Sequence, residues 1–173
     1  KLEEYKGDIL AAIAAGKGLR KSERDFLSAL KVRKGLAVIA EVKFASPSEG
    51  RIYKGKLNAG EIARLYEENG ASAVSVLTDE KYFQGSFENL AMAEKATEKT
   101  PLLCKDFIVH EYQIYKAREF GADAILLIAA LLSGEKIQQF IELAESLKMN
   151  ALVEVHDEEE LQKAFATSAK IIG

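Results

Sequence analysis

An α/β chain, with a parallel sheet covered by helices and curled towards a barrel, is predicted by three features of the 173-residue sequence. Short apolar runs start near Val38, Ala73, Leu102, Ala124, Ala151 and Lys170; an amphipathic helical stretch fills each interval; and several runs end on a charged side chain. Strands that are apolar on both faces and alternate with helices mark a parallel sheet with both faces covered. No glycine-rich phosphate fingerprint follows the first strand, which argues against an open dinucleotide-binding sheet. Charged residues at the carboxyl ends of several strands are instead how barrel enzymes build their sites. The expected fold is a TIM (βα)8 barrel type with about six βα units present, in one partial domain over 1–173: a helical extension over 1–34, then strands one to six with their helices over 35–173.

The elements follow in order. Leu2, Tyr5, Ile9, Leu10 and Ile13 recur at helical spacing, and Gly16 and Gly18 end that segment. A second short helix, Arg24 to Lys31, carries Phe26, Leu27 and Leu30, and its expected role is to cover the bottom or side of the core. The first strand, Ala37 to Lys43, breaks at Phe44 to Gly50, where proline and glycine rule out continued regular structure. Asn58 opens the next helix with Glu61 as capping-box partner, Ile62, Leu65 and Tyr66 along it, and Gly70 as its stop. Ser86 starts another with Phe87, Leu90 and Ala91; His110 to Phe120 carries Ile114 and Ala117 and stops at Gly121; Ser133 opens one with Ile137, Phe140, Ile141 and Ala144. Asp157 caps the last, with Glu160 in the box position. The joint Gly70 to Leu77 nearly repeats the joint Gly121 to Ile128.

Composition narrows the function classes. The 48% hydrophobic content suffices for a real core, and a formal net charge of −3 gives no basic footprint for nucleic acid. No apolar run approaches a membrane span, and Lys1 to Leu19 lacks the order of a signal peptide. The single cysteine, Cys104, cannot form an internal disulfide, so a cytoplasmic home is expected. His110 and His156 are too few and too far apart to propose a metal site with Cys104.

The charged strand ends carry the chemistry. Glu41 and Lys43 lie two residues apart and so on one face of the first strand, where burial requires that they pair or serve a ligand. Lys105 ends the run Pro101 to Cys104 and Glu154 ends Ala151 to Val153, each where an apolar residue is expected. Two lysines and two glutamates on three strands, pointing into one mouth, suit acid/base work, in which a lysine donates a proton while a glutamate accepts one or orients it. A Schiff-base aldolase also uses a buried lysine, and the residues alone do not separate the two.

Several stretches carry a resemblance. Ile39 to Lys43 followed by Ser46-Pro47-Ser48 resembles the signature of indole-3-glycerol phosphate synthase, the ring-closing enzyme of tryptophan biosynthesis. The likeness continues through Val76 to Ser86, Lys105 to Val109, Gly121 to Ile128 and Leu152 to His156, covering nearly the whole chain in order. It implies a (βα)8 barrel acting as a carbon–carbon lyase (carboxy-lyase) on 1-(2-carboxyphenylamino)-1-deoxyribulose 5-phosphate, with loss of carbon dioxide and water. Carried over by position, Lys105 matches the general acid on the carbonyl oxygen; Lys43, beside Glu41, matches the lysine that contacts substrate anions and serves dehydration; Glu154 matches the glutamate that assists proton transfer or holds a lysine. Phe83, Phe107 and Leu126 match positions that wall the aromatic ring, and Ser46 and Pro47 lie in a loop where a mobile lid is expected. Arg51, Lys54 and Lys56 either draw in the phosphorylated substrate or form a solvated basic loop. No redox step or electron sink is needed, so the resemblance implies no cofactor.

The sequence stops after the sixth strand, Lys170 to Gly173, and does not begin with methionine. The family's later Glu-Ser-Gly stretch and Gly-Ser turn, which bind substrate and its phosphate, are not in it. The resulting expectation is a fragment with impaired phosphate binding and activity, whose open sheet edges favour self-association. The alternatives carried forward are another phosphate-binding barrel enzyme, such as a Schiff-base aldolase, and a non-catalytic barrel fragment.

Overall fold

The computed structural model describes residues 22–31 and 35–173. The predicted first helix, with Leu2, Tyr5, Ile9, Leu10 and Ile13, lies outside the described residues. A short helix α1 (Phe26–Leu30) is followed by β1 (Ile39–Val42), a small pair β2 (Ala45–Ser46) and β3 (Gly50–Arg51), and α2 (Ala59–Glu68). Then come β4 (Ala73–Leu77), a one-turn helix α3 (Glu80–Phe83), α4 (Phe87–Ala96), β5 (Leu102–Lys105), α5 (Glu111–Glu119) and β6 (Ala124–Ile128). A 3₁₀ turn (Ala129–Leu131), α6 (Gly134–Ser146), β7 (Asn150–Glu154), α7 (Glu158–Phe165) and β8 (Ile171–Ile172) complete the order.

Six strands pair in parallel in the order β1-β4-β5-β6-β7-β8, each beside its neighbour in the βα succession. The result is a partial, TIM-barrel-like α/β sheet. Because side chains alternate along a strand, each strand feeds two different cores. Val42, Val74, Val76, Leu102, Cys104, Ile125, Leu127 and Val153 face outward and pack with the buried sides of the helices, including Ala63, Leu90, Ile114, Ile137 and Phe140. Ala73, Leu103 and Ala124 face inward with Ile39, Leu152 and Ile171, and the fully buried ring of Phe26 packs among them. The helix α1 thus closes the floor of the inner face. It is held by its Asp25 cap, which accepts from Ser28 N–H at 3.1 Å, and by Leu27 N–H donating to Asn150 Oδ1 at 3.1 Å.

Local capping follows the expected chemistry. Asn58 and Glu61 form a reciprocal capping box on α2. Gly70 and Gly121 close α2 and α5 with φ of +84° and +97°, a region that a side chain disfavours, which is why the two helix-to-strand joints share a glycine at the same place. At the second joint Asp123 accepts from Leu102 N–H at 2.9 Å and meets Arg24 Nε at 2.8 Å and Arg118 at 3.6 Å, tying the N-terminal segment under the sheet.

Three local expectations are corrected. Phe44 to Gly50 is not free of regular structure: Ala45 and Ser46 pair with Arg51 and Gly50, because Ser46 Oγ accepts from Glu49 N–H at 3.2 Å and Gly50, at φ +63°, turns the chain back. Glu160 does not close a box on Asp157; its carboxylate accepts from His156 N–H at 2.9 Å, while Asp157 caps Glu160 N–H at 2.8 Å. Leu65 is exposed on α2, and Ala59 and Ala63 make the buried face instead.

Candidate functional site

The inner face changes character two residues above its apolar floor. Moving up one alternation from Ile39, Ala73, Leu103, Ala124 and Leu152 gives Glu41, Ser75, Lys105, Leu126 and Glu154. A rise of about 7 Å separates the two layers. The strand pattern therefore places four polar side chains where the inner core would otherwise continue.

Two ion pairs form in this upper layer. Lys105 Nζ lies 3.4 Å from Glu154 Oε2, spanning β5 to β7 across the face of β6, and Lys43 Nζ lies 3.0 Å from Glu41 Oε1 on the end of β1. Both pairs keep about a third of each side chain exposed, so they remain open to solvent and to a ligand. Lys105 and Glu154 line an open cavity, and Glu41 and Lys43 line a neighbouring one with Tyr53, Ile62 and Tyr66. Glu41 and Lys43 neutralise each other along their own strand instead of reaching across to Lys105.

The cavity at Lys105 has aromatic walls. Phe83, at the end of α3, and Phe107, just past β5, face each other with ring centroids 6.2 Å apart. Tyr82 meets Phe107 edge-on at 6.2 Å. Leu126 and Ile128 of β6 and Leu77 of β4 also line it. An apolar cavity with aromatic side chains beside an ammonium and a carboxylate suits an aromatic ligand whose reacting oxygen must accept a proton. Ser46 and Pro47 line neither cavity, but β2 packs against α3, the element that carries Phe83.

Two carboxylates of this cavity escape the sequence reading. Asp79 caps α3 through Tyr82 N–H at 2.6 Å, and Asp106 accepts from Thr78 Oγ1 at 2.7 Å and from Phe107 N–H at 2.8 Å. Burial pushes the Asp106 carboxyl above the usual range, against those hydrogen bonds, and the nearby Asp79 charge acts in the same direction. Asp106 follows the inward-facing Lys105, so alternation assigns it outward; the chain leaves the strand there and brings it back to the rim. Behind it, burial pushes the Cys104 thiol up to about 12, leaving an inert core group. Among the described residues no group of three or more His, Cys, Asp and Glu is placed to hold a metal ion, and no helix is long and apolar enough to cross a membrane.

Comparison with known proteins adds to this geometry. The family model described as Indole-3-glycerol phosphate synthase matches residues 2–173. A protein of that name from Trichodesmium erythraeum (strain IMS101) is 53% identical over 151 residues, covering 86% of this chain and 50% of its own length. One from Legionella pneumophila (strain Lens) is 49% identical over 150 residues, covering 87% and 57%, and the chloroplastic one from Arabidopsis thaliana is 53% identical over 146 residues, covering 82% and 36%. The chain spans about half the length of the curated relatives it matches. Among solved structures, the carboxyl transferase domain of Rhizobium etli pyruvate carboxylase superposes with a TM-score of 0.56 at 13% identity, over 79% of this chain and 26% of that one. KGPDC from Streptococcus mutans does so with a TM-score of 0.50 at 12% identity, over 66% and 55%. At such identities these two likenesses concern the fold alone.

Proposed function

The chain belongs to the indole-3-glycerol phosphate synthase family, and from that premise we propose that its cavity at Lys105 performs the ring closure of 1-(2-carboxyphenylamino)-1-deoxyribulose 5-phosphate. The aromatic ring of the substrate lies against Phe83, Phe107 and Leu126. The ring carbon bearing the carboxylate attacks the ribulose carbonyl, whose oxygen becomes an alkoxide and takes a proton from the Lys105 ammonium. Carbon dioxide then leaves, its bonding electrons restoring the aromatic ring. The resulting hydroxyl leaves as water with a second proton, supplied by Lys43 from the neighbouring end of β1, where Glu41 holds it, and the carbon next to nitrogen releases a C–H proton to solvent, which completes the indole. Glu154 positions Lys105 and exchanges protons with it. The reaction is that of a carboxy-lyase and uses no cofactor. Ser46 and Pro47 act from the β2–β3 hairpin as a cover that reaches the site through α3.

The observation that supports this reading best is the Lys105–Glu154 pair at 3.4 Å in a cavity that Phe83 and Phe107 also line. A structural ion pair has no need of two phenylalanines lining an open cavity. The test is to incubate the chain with the substrate and follow indole fluorescence, with Lys105→Met as control. Product from the chain and none from the variant is the expected result. Product formation unaffected by Lys105→Met overturns the assignment, and covalent trapping of substrate on Lys105 by borohydride would favour Schiff-base chemistry instead.

A further inference from the structure

We propose that His156 is the solvent-side end of a proton relay that runs through Glu154 to Lys105; this rests on the ring-closure reading and adds to it the route by which the general acid is recharged. His156 stands two residues past Glu154, where its ring lies between two carboxylates. Nε2 is 3.4 Å from Glu154 Oε1, and Nδ1 is 3.4 Å from Glu160 Oε2 on α7. The other oxygen of Glu154, Oε2, is 3.4 Å from Lys105 Nζ. Lys105 and Glu154, and His156 and Glu160, are within hydrogen-bond reach, and an ion-pair contact between Glu154 and His156 joins the two, so that the cavity lysine is linked to an exposed imidazole. Glu160 also accepts from His156 N–H at 2.9 Å, so one side chain fixes both the backbone and the ring. The charged groups facing the imidazole are Glu154 from β7 and Glu160 from α7, with Lys105 of β5 behind Glu154.

His156 is the exposed member of the line. The His156 side chain is 61% exposed, against 28% for Glu154 and 31% for Lys105, and His156 does not line the cavity. A substrate seated against Phe83 and Phe107 covers Lys105 from the mouth, while His156 stays in contact with water. Imidazole is the side chain suited to both taking and giving a proton near neutral pH.

The reaction requires such a supply. Ring closure consumes one proton at the carbonyl oxygen, and loss of the hydroxyl as water consumes a second. Loss of a C–H proton from the carbon next to nitrogen returns one, and departure of the carboxylate as carbon dioxide involves none. Each turnover thus draws one net proton from water. In the relay, His156 takes it from solvent and passes it from Nε2 to Glu154 Oε1. The carboxyl, after a half-turn about its terminal bond, gives it to the neutral Lys105 amine, which restores the ammonium.

The test uses the full chain and two readouts. The first needs no turnover: the ring nitrogen resonances of His156, one of only two histidines, are recorded by nuclear magnetic resonance in the chain and in Glu154→Gln. The Nε2 resonance, which faces Glu154, is expected to shift when that carboxylate is replaced, and the Nδ1 resonance, which faces Glu160, to move less. The second is the pH–rate profile of His156→Gln, in which kcat falls about tenfold with KM unchanged, and added imidazole restores most of it. A purely structural histidine is not rescued by free imidazole. An unmoved Nε2 resonance overturns the relay, as does turnover that His156→Gln leaves intact or that imidazole fails to restore. Absence of product from the unsubstituted chain overturns the ring-closure reading instead, and a displaced Nε2 resonance then still supports the coupled His156–Glu154 pair.

Discussion

Replacing Glu154 by glutamine separates a structural ion pair from a working one, because the two roles predict different sizes of effect on different measurements. At the 3.4 Å separation of Lys105 and Glu154, two unit charges attract by about 5 kcal/mol at an effective dielectric of 20 and by about 1 kcal/mol in bulk water. With 31% and 28% of the side chains in solvent, desolvation and side-chain ordering offset most of this, leaving a net of about 0.2–1 kcal/mol. Glutamine keeps the shape and removes only the charge, so urea unfolding followed by circular dichroism should show a loss of no more than about 1 kcal/mol. Turnover read by indole fluorescence should fall by about 10²- to 10⁴-fold, equivalent to about 3–5 kcal/mol in the barrier. The opposite pattern, a loss of about 3 kcal/mol in stability with turnover intact, would refute the functional reading of the pair.

Other expectations concern the frame around the site. Phe26→Ala empties the floor of the inner face and should cost about 3–5 kcal/mol; a urea midpoint close to that of the unsubstituted chain would mean that α1 does not close the floor. Glu67 accepts N–H bonds from Glu98, Lys99 and Thr100 at 3.1, 2.8 and 2.7 Å. Burial works against its ionisation, but those bonds outweigh it and hold the carboxyl below its ordinary 4.5. A depressed folded value contributes stability above the unfolded value and loses it as pH falls through the folded one, so Glu67→Gln should flatten the acid side of the stability profile from about pH 5 downward. Cys104, with its thiol pushed up to about 12, should resist iodoacetamide at mild alkaline pH in the native chain and react once urea is added; rapid alkylation of the native protein would contradict its burial.

The order of strands and helices was legible because it depends on local pattern. Ala73 to Leu77 and Ala124 to Ile128 read as buried strands since their apolar runs serve both faces, and Asn58, Ser86 and Ser133 announce helices by chemistry that acts within three residues. Lys105 and Glu154 stood out because charge interrupts those runs. The small β2–β3 pair was hidden, since two-residue strands leave no period to read and depend on the Ser46 turn and the positive φ of Gly50. Asp106 was hidden by the very alternation that revealed Lys105. The division between Lys105–Glu154 and Glu41–Lys43 depends on which partner each ammonium reaches across space, and sequence spacing carries that information only for the pair on one strand. His156 entered the sequence reading only as too distant to propose for a metal site and as the end of the stretch from Leu152, whereas its position between Glu154 and Glu160 follows from how α7 folds back over the end of β7.

The layered inner face has a consequence for how such a chain can change over generations. Leu103 and Lys105, or Leu152 and Glu154, sit on the same strand and face the same way, yet one packs with the floor and the other faces the cavity. A substitution in the upper row leaves every floor contact in place, and a substitution in the floor leaves every reacting group at its strand position. Inheritance of the scaffold and inheritance of the chemistry are thereby uncoupled at a distance of two residues. New substrates can be tried by rewriting a handful of upper-row side chains as a set, while the rows beneath continue to specify the same sheet.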